Sequence, residues 1–531
     1  MSKCAGPLSP PSGVPPSSPA KGPNSFARSG SIPPPRRERM GTRRKTRAEP
    51  RRLEPKKPGG TSLLAFFPGF WGAVVEGVGG WVSLGFMKKN AEWILRGGRV
   101  VRPEGVGRAD LWIKEGKIRA LGENLEPEEG LLEVSAEGML VFPGLVDPQV
   151  HFREPGLEWK EDLASGSLAA VAGGVTSFME MPNTKPPTTD PKALQDKLER
   201  AAGRCYADHA FFLGATRKNA ERLGEWEQAP GCAGVKVFMG SSTGNLLVED
   251  DETLERVLRS GKRRVAVHSE DEPRLKQRYA EVEPGSPHRI HPRVRDVEAA
   301  LKATRRLLNL VERTGRKVHL LHVSTAEECD LLRERDLGDL VTAEVTPNHL
   351  FLQAPACYED WASLVQMNPP IRERRHLEAL RQALVDGVIS CIGSDHAPHL
   401  LEEKKKPYPL CPSGIPGVQT ILPLMLMAVR EGWLDYPKIA EITSGAPARV
   451  YGLKSKGTLA PGMDADFVLV DPGFIQPLPL SWLRSRAGYS PYVGMLTHGF
   501  PVQTYLRGNM VFDLHQGPKS ASGIPLSYGF Q

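Results

Sequence analysis

Five polar clusters interrupt apolar runs in this chain, and their residue types are those of a metal centre. The first is Asp147, Gln149, His151 and Arg153, in DPQVHFREPG. On an extended strand, alternation places these four on one face. The second is Lys236, in GVKVFMG, a cation among apolar neighbours, which is unusual without a role. The third is His268, in AVHSED. The fourth is His322, in HLLHVST, with His319 on the opposite face by the same alternation. The fifth is Asp395, in IGSDHAPH, with His396 and His399 close by. Taken singly, each histidine reads first as a hydrogen-bonded core or surface residue. Three histidines, a carboxylate and an interior lysine at successive strand ends read as a ligand set. Imidazole and carboxylate suit zinc and similar divalent ions. Arg153 offers different chemistry, since its guanidinium fork matches a planar carboxylate. Its structural alternative is an ion pair with Glu154 or Asp162.

These clusters need strands to carry them. Short apolar runs at 174–181, 234–240, 264–270 and 317–324 read as strands. Helical patterns such as PKALQDKLERAA and RDVEAALKATRRLLNLVERTG lie between them. Repeated βα units over 144–454 predict an α/β fold, an eight-stranded TIM-type (β/α)8 barrel. A barrel builds its site at the C-terminal ends of its strands, which is where the clusters fall. Before the barrel, WILRGGRVV and DLWIKEGKIRALG read as strands, the second with a hairpin turn at Glu115-Gly116. A β pattern returns after 455. Residues 87–143 and 455–531 are therefore expected to form one small β-sandwich domain around the barrel.

The basicity of the chain is confined to one tail. Its net charge is +7, but residues 1–60 carry 14 Lys and Arg against 3 Asp and Glu, a net of +11. The remainder therefore sums to −4, which argues against nucleic acid as a partner. The same tail holds 13 of the 48 prolines and no apolar period, so residues 1–86 read as a disordered, low-complexity extension. Within it, residues 61–86 are apolar and carry only Glu76 as a charge. Three readings stand: translation starting at Met87, a loose tail, or a membrane anchor made poor by Pro68 and six glycines. The seven cysteines are scattered, with no CxxC pair, as in a reducing compartment.

The stretches DPQVHFREPG, AAVAGGVTSFMEMPNT, VKVFMG, VHSE, LHVST, EVTPNHL, MNPPIR, SDHAPH, GAPARVYGL and KGTLAPGMDADFVLVD succeed one another across roughly 92–512. In that order they resemble the dihydroorotases of the amidohydrolase superfamily. The resemblance implies reversible, metal-dependent hydrolysis of (S)-dihydroorotate to N-carbamoyl-L-aspartate in pyrimidine synthesis. It implies one or two zinc ions. His151 and Asp395 would bind the more buried ion, and His268 and His322 the second. Lys236, N6-carboxylated, would bridge them, and Asp395 would also move the proton. Arg153, Asn183, Asn368, His399, Ser413 and Gly414 would meet substrate. A cytoplasmic location, a homo-oligomer and an aspartate transcarbamoylase partner are implied by the same resemblance. Two departures stand out: Gln149 occupies the first histidine of the family's H-x-H, and Asn348 the first of its PHHL. An amide oxygen is a neutral and weaker donor, so Gln149 is a doubtful ligand. Gln149 leaves open a non-catalytic scaffold for aspartate transcarbamoylase, and the generic barrel chemistry leaves open an allantoinase- or hydantoinase-type enzyme with another ring substrate.

Overall fold

Eight parallel strands carry the five clusters. They are Leu145–Val150, Val175–Glu180, Asp208–Gly214, Cys232–Phe238, Val265–His268, Val318–Leu320, Val341–Val345 and Cys391–Ile392, paired in chain order. A parallel bridge between Val150 and His396, with His151 N donating to His396 O at 2.8 Å, brings the last strand back to the first. The computed structural model describes residues 92–126, 130–241 and 246–529, and the extension 1–86 lies outside them. The strands predicted at 174–181, 234–240, 264–270 and 317–324 are all present. Their side chains are buried on both faces, as a sheet wrapped by helices requires.

Helix starts are set at the same end as the site. Asp162, Asp190, Asp250, Asp271 and Asp296 each accept a backbone amide from the first turn of the succeeding helix. A short carboxylate satisfies one of the orphan N–H groups there and marks where each helix begins. The long helix Val297–Thr314 ends on Gly315, whose φ of 67° closes the left-handed cap.

The flanking segments meet in one nine-stranded sheet. Trp93–Arg102 pairs with Gly105–Lys114, and Leu140–Pro143 lies between Trp93–Arg102 and Phe467–Asp471. Strands Phe500–Leu506 and Asn509–Asp513 extend it. Glu115 and Gly116 form the predicted hairpin turn, with φ of 51° and 77° as a type I′ turn requires. The sheet core is built on Trp93, Phe467 and Tyr505, the last two rings stacked at 4.4 Å. Lys456 ties it to the barrel, reaching Asp464 and, at 2.6 Å, Asp208 on the third barrel strand. Since Leu145 comes two residues after Pro143, this sheet anchors the strand that carries the first cluster. Among the described residues no helix is long and apolar enough to cross a membrane.

Candidate active site

The sequence-predicted residues gather at the C-terminal mouth of the barrel in three groups. The first joins the two ends of the barrel. His151 Nε2 lies 3.1 Å from Asp395 Oδ1, and Gln149 Nε2 donates to the same oxygen at 3.1 Å. His151 Nδ1 donates to Asn183 Oδ1 at 2.7 Å, which leaves the lone pair on Nε2. Burial lowers the pKa of His151, so the ring is neutral. Two acceptors therefore face each other across 3.1 Å, an arrangement that asks for a cation between them. Gln149 Oε1 is buried there without a hydrogen-bond partner among the described residues. Beneath, the Asp147 carboxylate accepts from Gln149 N at 3.2 Å and Ser394 N at 3.0 Å, lacing the first strand to the last. Burial pushes Asp147 up to about 7.

The second group is His268 and His322. His268 Nδ1 and His322 Nε2 are 3.0 Å apart, with the rings at 80°. His268 Nε2 lies 2.9 Å from Glu270 Oε2, off the line of a full hydrogen bond. Burial works against the Glu270 charge. Arg295, whose Nε lies 3.1 Å from Glu270 Oε1, together with His268 overcomes that and holds the carboxyl well below its ordinary range. An anionic Glu270 favours the proton on His268 Nε2 and leaves Nδ1 free as a donor atom, the usual way a carboxylate orients a ligating histidine. Burial lowers both histidines, and ligands must be unprotonated to bind a metal. Lys236 sits between the groups electrostatically, interacting with Asp395 on one side and with His268 and His322 on the other. It is 1% exposed and has no hydrogen bond or ion pair among the described residues. Burial pushes its ammonium down to about 7.

The third group is built for an anion. Arg153 is 2% exposed, yet no carboxylate pairs with it among the described residues. Glu154, the expected structural partner, is taken by Arg204 at 2.7 Å, and Asp162 caps a helix and pairs with Arg486. Arg153 Nε instead donates to Pro398 O at 3.2 Å, and its Nη2 stands 3.2 Å from His399 Nε2. Burial pushes Arg153 down to about 10, so it stays charged at neutral pH. His399 Nε2 also faces Ser413 O at 3.1 Å, which brings the Pro412–Gly414 segment to the same place. Gly414 has a φ of 149°, and a Cβ there would stand 2.2 Å from Ala397 O. Gly156, in the same REPG stretch as Arg153, is as tightly placed: a Cβ would fall 1.8 Å from Lys185 O. Asn368 is reached less directly. Its Oδ1 accepts from His291 Nε2 at 3.0 Å, and among the described residues no hydrogen bond joins it to another predicted site residue.

Three of the site residues hold left-handed backbone: Arg153 at φ 69°, His322 at 38° and Asp395 at 47°. Such conformations cost about 1–3 kcal/mol each for residues with a side chain and persist where function selects them. At His322 the turn has a further consequence. The strand ends at Leu320, so alternation no longer governs, and His319 packs inside the barrel as well. His319 Nε2, Glu344 and Cys391 Sγ lie within 4.8 Å of one another, near enough to hold an ion. Burial raises both Glu344 and Cys391, favouring their neutral forms. His319 Nε2 lies 3.1 Å from Glu344 Oε2, and His319 Nδ1 2.7 Å from Thr342 Oγ1.

Several residues of the site escape motif reasoning. Glu270 was within reach, two residues beyond His268. Lys160 and Glu403 around His399, and Lys404, which is buried and donates to the carbonyls of Gln366, Pro412 and Gly414, give no local signal.

This barrel and site are those of a cyclic-amide hydrolase scaffold, and the chain belongs to the amidohydrolase family, which it matches over residues 140–511. It is similar to the dihydroorotase of Methanosarcina acetivorans, 37% identical over 419 residues that span 76% of this chain and 88% of the relative. A Geobacter dihydroorotase is 34% identical over 435 residues, 79% of this chain and 99% of the relative. Among solved structures, the L-hydantoinase (dihydropyrimidinase) of Arthrobacter aurescens superposes with a TM-score of 0.78. It is 28% identical and covers 82% of this chain and 100% of its own.

Proposed function

We propose that the protein is a metal-dependent dihydroorotase that interconverts dihydroorotate and N-carbamoyl-aspartate in pyrimidine synthesis. The observation that carries this reading is Arg153, a buried guanidinium with no carboxylate partner among the described residues, within electrostatic reach of the His151–Asp395 pair, in a barrel that also holds the His268–His322 pair. A cyclic amide bearing a carboxylate satisfies both halves. Zinc is the proposed ion, held by His151 and Asp395 on one side and by His268 and His322 on the other. Gln149 Oε1 would be an additional neutral donor. Lys236, with its amine unprotonated for much of the time near neutral pH, can take up CO₂ and become an anionic ligand between them. When bound, the metal supplies an acidified water and a polarised amide carbonyl.

The chain's own residues do the rest. Asp395 accepts the proton of the attacking water and returns it to the leaving amide nitrogen. Asn183 orients His151. Arg153 and His399 hold the ring's carboxylate, Asn368 adds a polar contact, and Ser413 and Gly414 present backbone groups to the ring. Six buried free cysteines among the described residues support a reducing, cytoplasmic setting. Rates with dihydroorotate, dihydrouracil, hydantoin and allantoin at equal concentration test the assignment. Dihydroorotate should lead by at least about tenfold, the worth of one charge-assisted contact. A neutral ring turning over faster would transfer the assignment to a hydantoinase-type enzyme.

A further inference from the structure

His399 has cationic donors on two sides. On one, Lys160 Nζ lies 3.0 Å from His399 Nδ1. On the other, Arg153 Nη2 lies 3.2 Å from His399 Nε2. An ammonium has only hydrogens to offer, so the Lys160 contact makes Nδ1 an acceptor and places the ring proton on Nε2. Ser413 O, 3.1 Å from Nε2, demands the same tautomer because a carbonyl can only accept. Burial, together with Arg153 and Lys160, lowers His399, so the ring carries one proton and not two. The Arg153–His399 approach is then donor against donor. It is not a hydrogen bond, and an anion placed between them completes it.

We infer that Lys160 is a positioning residue for carboxylate recognition: by donating to His399 Nδ1 it fixes the imidazole proton on Nε2, so that Arg153 and His399 present donors alone to an incoming carboxylate. This rests on the dihydroorotase reading for the identity of the anion, though not for the tautomer. Lys160 is itself held by Glu403 Oε1 at 2.8 Å, and its side chain is 11% exposed. Glu403 also sets the outcome of losing Lys160. Its Oε2 stands 3.8 Å from His399 Nδ1. Without the ammonium between them, that carboxylate competes with Ser413 O for the ring proton and, being an anion, draws it to Nδ1. Nε2 then becomes an acceptor for Arg153 Nη2 and occupies the guanidinium that should bind substrate.

The experiment uses the full-length, zinc-loaded chain with ¹⁵N-labelled histidine, His399 being assigned by the resonance missing in His399→Asn. Ring ¹⁵N shifts and long-range ¹H couplings report the tautomer. The wild type should carry the proton on Nε2, Lys160→Met should move it to Nδ1, and Lys160→Arg should restore Nε2. In kinetics, Lys160→Met should raise KM for dihydroorotate by about tenfold or more, with kcat within about threefold and KM for a neutral cyclic amide unchanged. A wild-type His399 protonated on Nδ1, or a Lys160→Met chain that keeps Nε2–H, overturns the inference. If Lys160→Met does not fold, the wild-type and Lys160→Arg spectra still decide it. A wild type that ignores dihydroorotate but shows Nε2–H defeats the substrate assignment and leaves the role of Lys160 intact.

Discussion

Asp395→Asn is expected to lower kcat for dihydroorotate by about 10²–10⁴-fold, the range for loss of a general acid–base, while the fold is kept. The side chain keeps its size, and the φ of 47° at this position suits asparagine as well as aspartate. What changes is the charge and the acceptor. Asp395 Oδ1 receives Gln149 Nε2 and faces the lone pair of His151 Nε2, both at 3.1 Å. An amide cannot take a proton from water at neutral pH, and it is a poorer metal ligand. Circular dichroism and thermal melting should match the wild type, and bound zinc should fall. A variant retaining more than about a tenth of the wild-type kcat would remove Asp395 from the proton path.

Arg153→Gln is expected to raise KM for dihydroorotate by about 10²-fold, since a charge-assisted contact contributes roughly 1.5–3 kcal/mol. Rates with neutral cyclic amides should change little, which separates lost recognition from general damage. Stability should move the other way. The structure buries this guanidinium without an ion pair among the described residues, a desolvation cost that an uncharged amide relieves in part. The melting temperature of Arg153→Gln should therefore equal or exceed that of the wild type, as at sites where function is held against stability. A lower KM for dihydroorotate would place its carboxylate elsewhere.

The parts of this site that were legible in the sequence are those whose oddity is local. Lys236 among valines, His268 at the end of an apolar run and Asp395 before HAPH are each wrong for a core unless they have work to do. The Glu115-Gly116 hairpin was legible because its φ requirements belong to two adjacent residues. What was hidden depends on partners far along the chain. Lys160 sits in LEWKED beside the exposed Trp159 and reads as surface charge, yet its partner His399 is 239 residues away. Arg153 illustrates the same point in reverse. Its expected local partners, Glu154 and Asp162, are claimed by Arg204 and Arg486 from distant segments, and only that leaves the guanidinium for substrate. His319 was set on the opposite face from His322 by strand alternation. The strand ends between them, and the left-handed turn at His322 brings His322 to the buried side that His319 already occupies.

Metal dependence and substrate meet in a single measurement, dihydroorotate hydrolysis monitored as zinc is returned to the chelator-treated full-length chain. Turnover should be absent without metal, rise in proportion to bound zinc and level off at one or two ions per chain. Turnover undiminished after complete metal removal would contradict the account, and so would a folded, zinc-replete chain that leaves dihydroorotate intact.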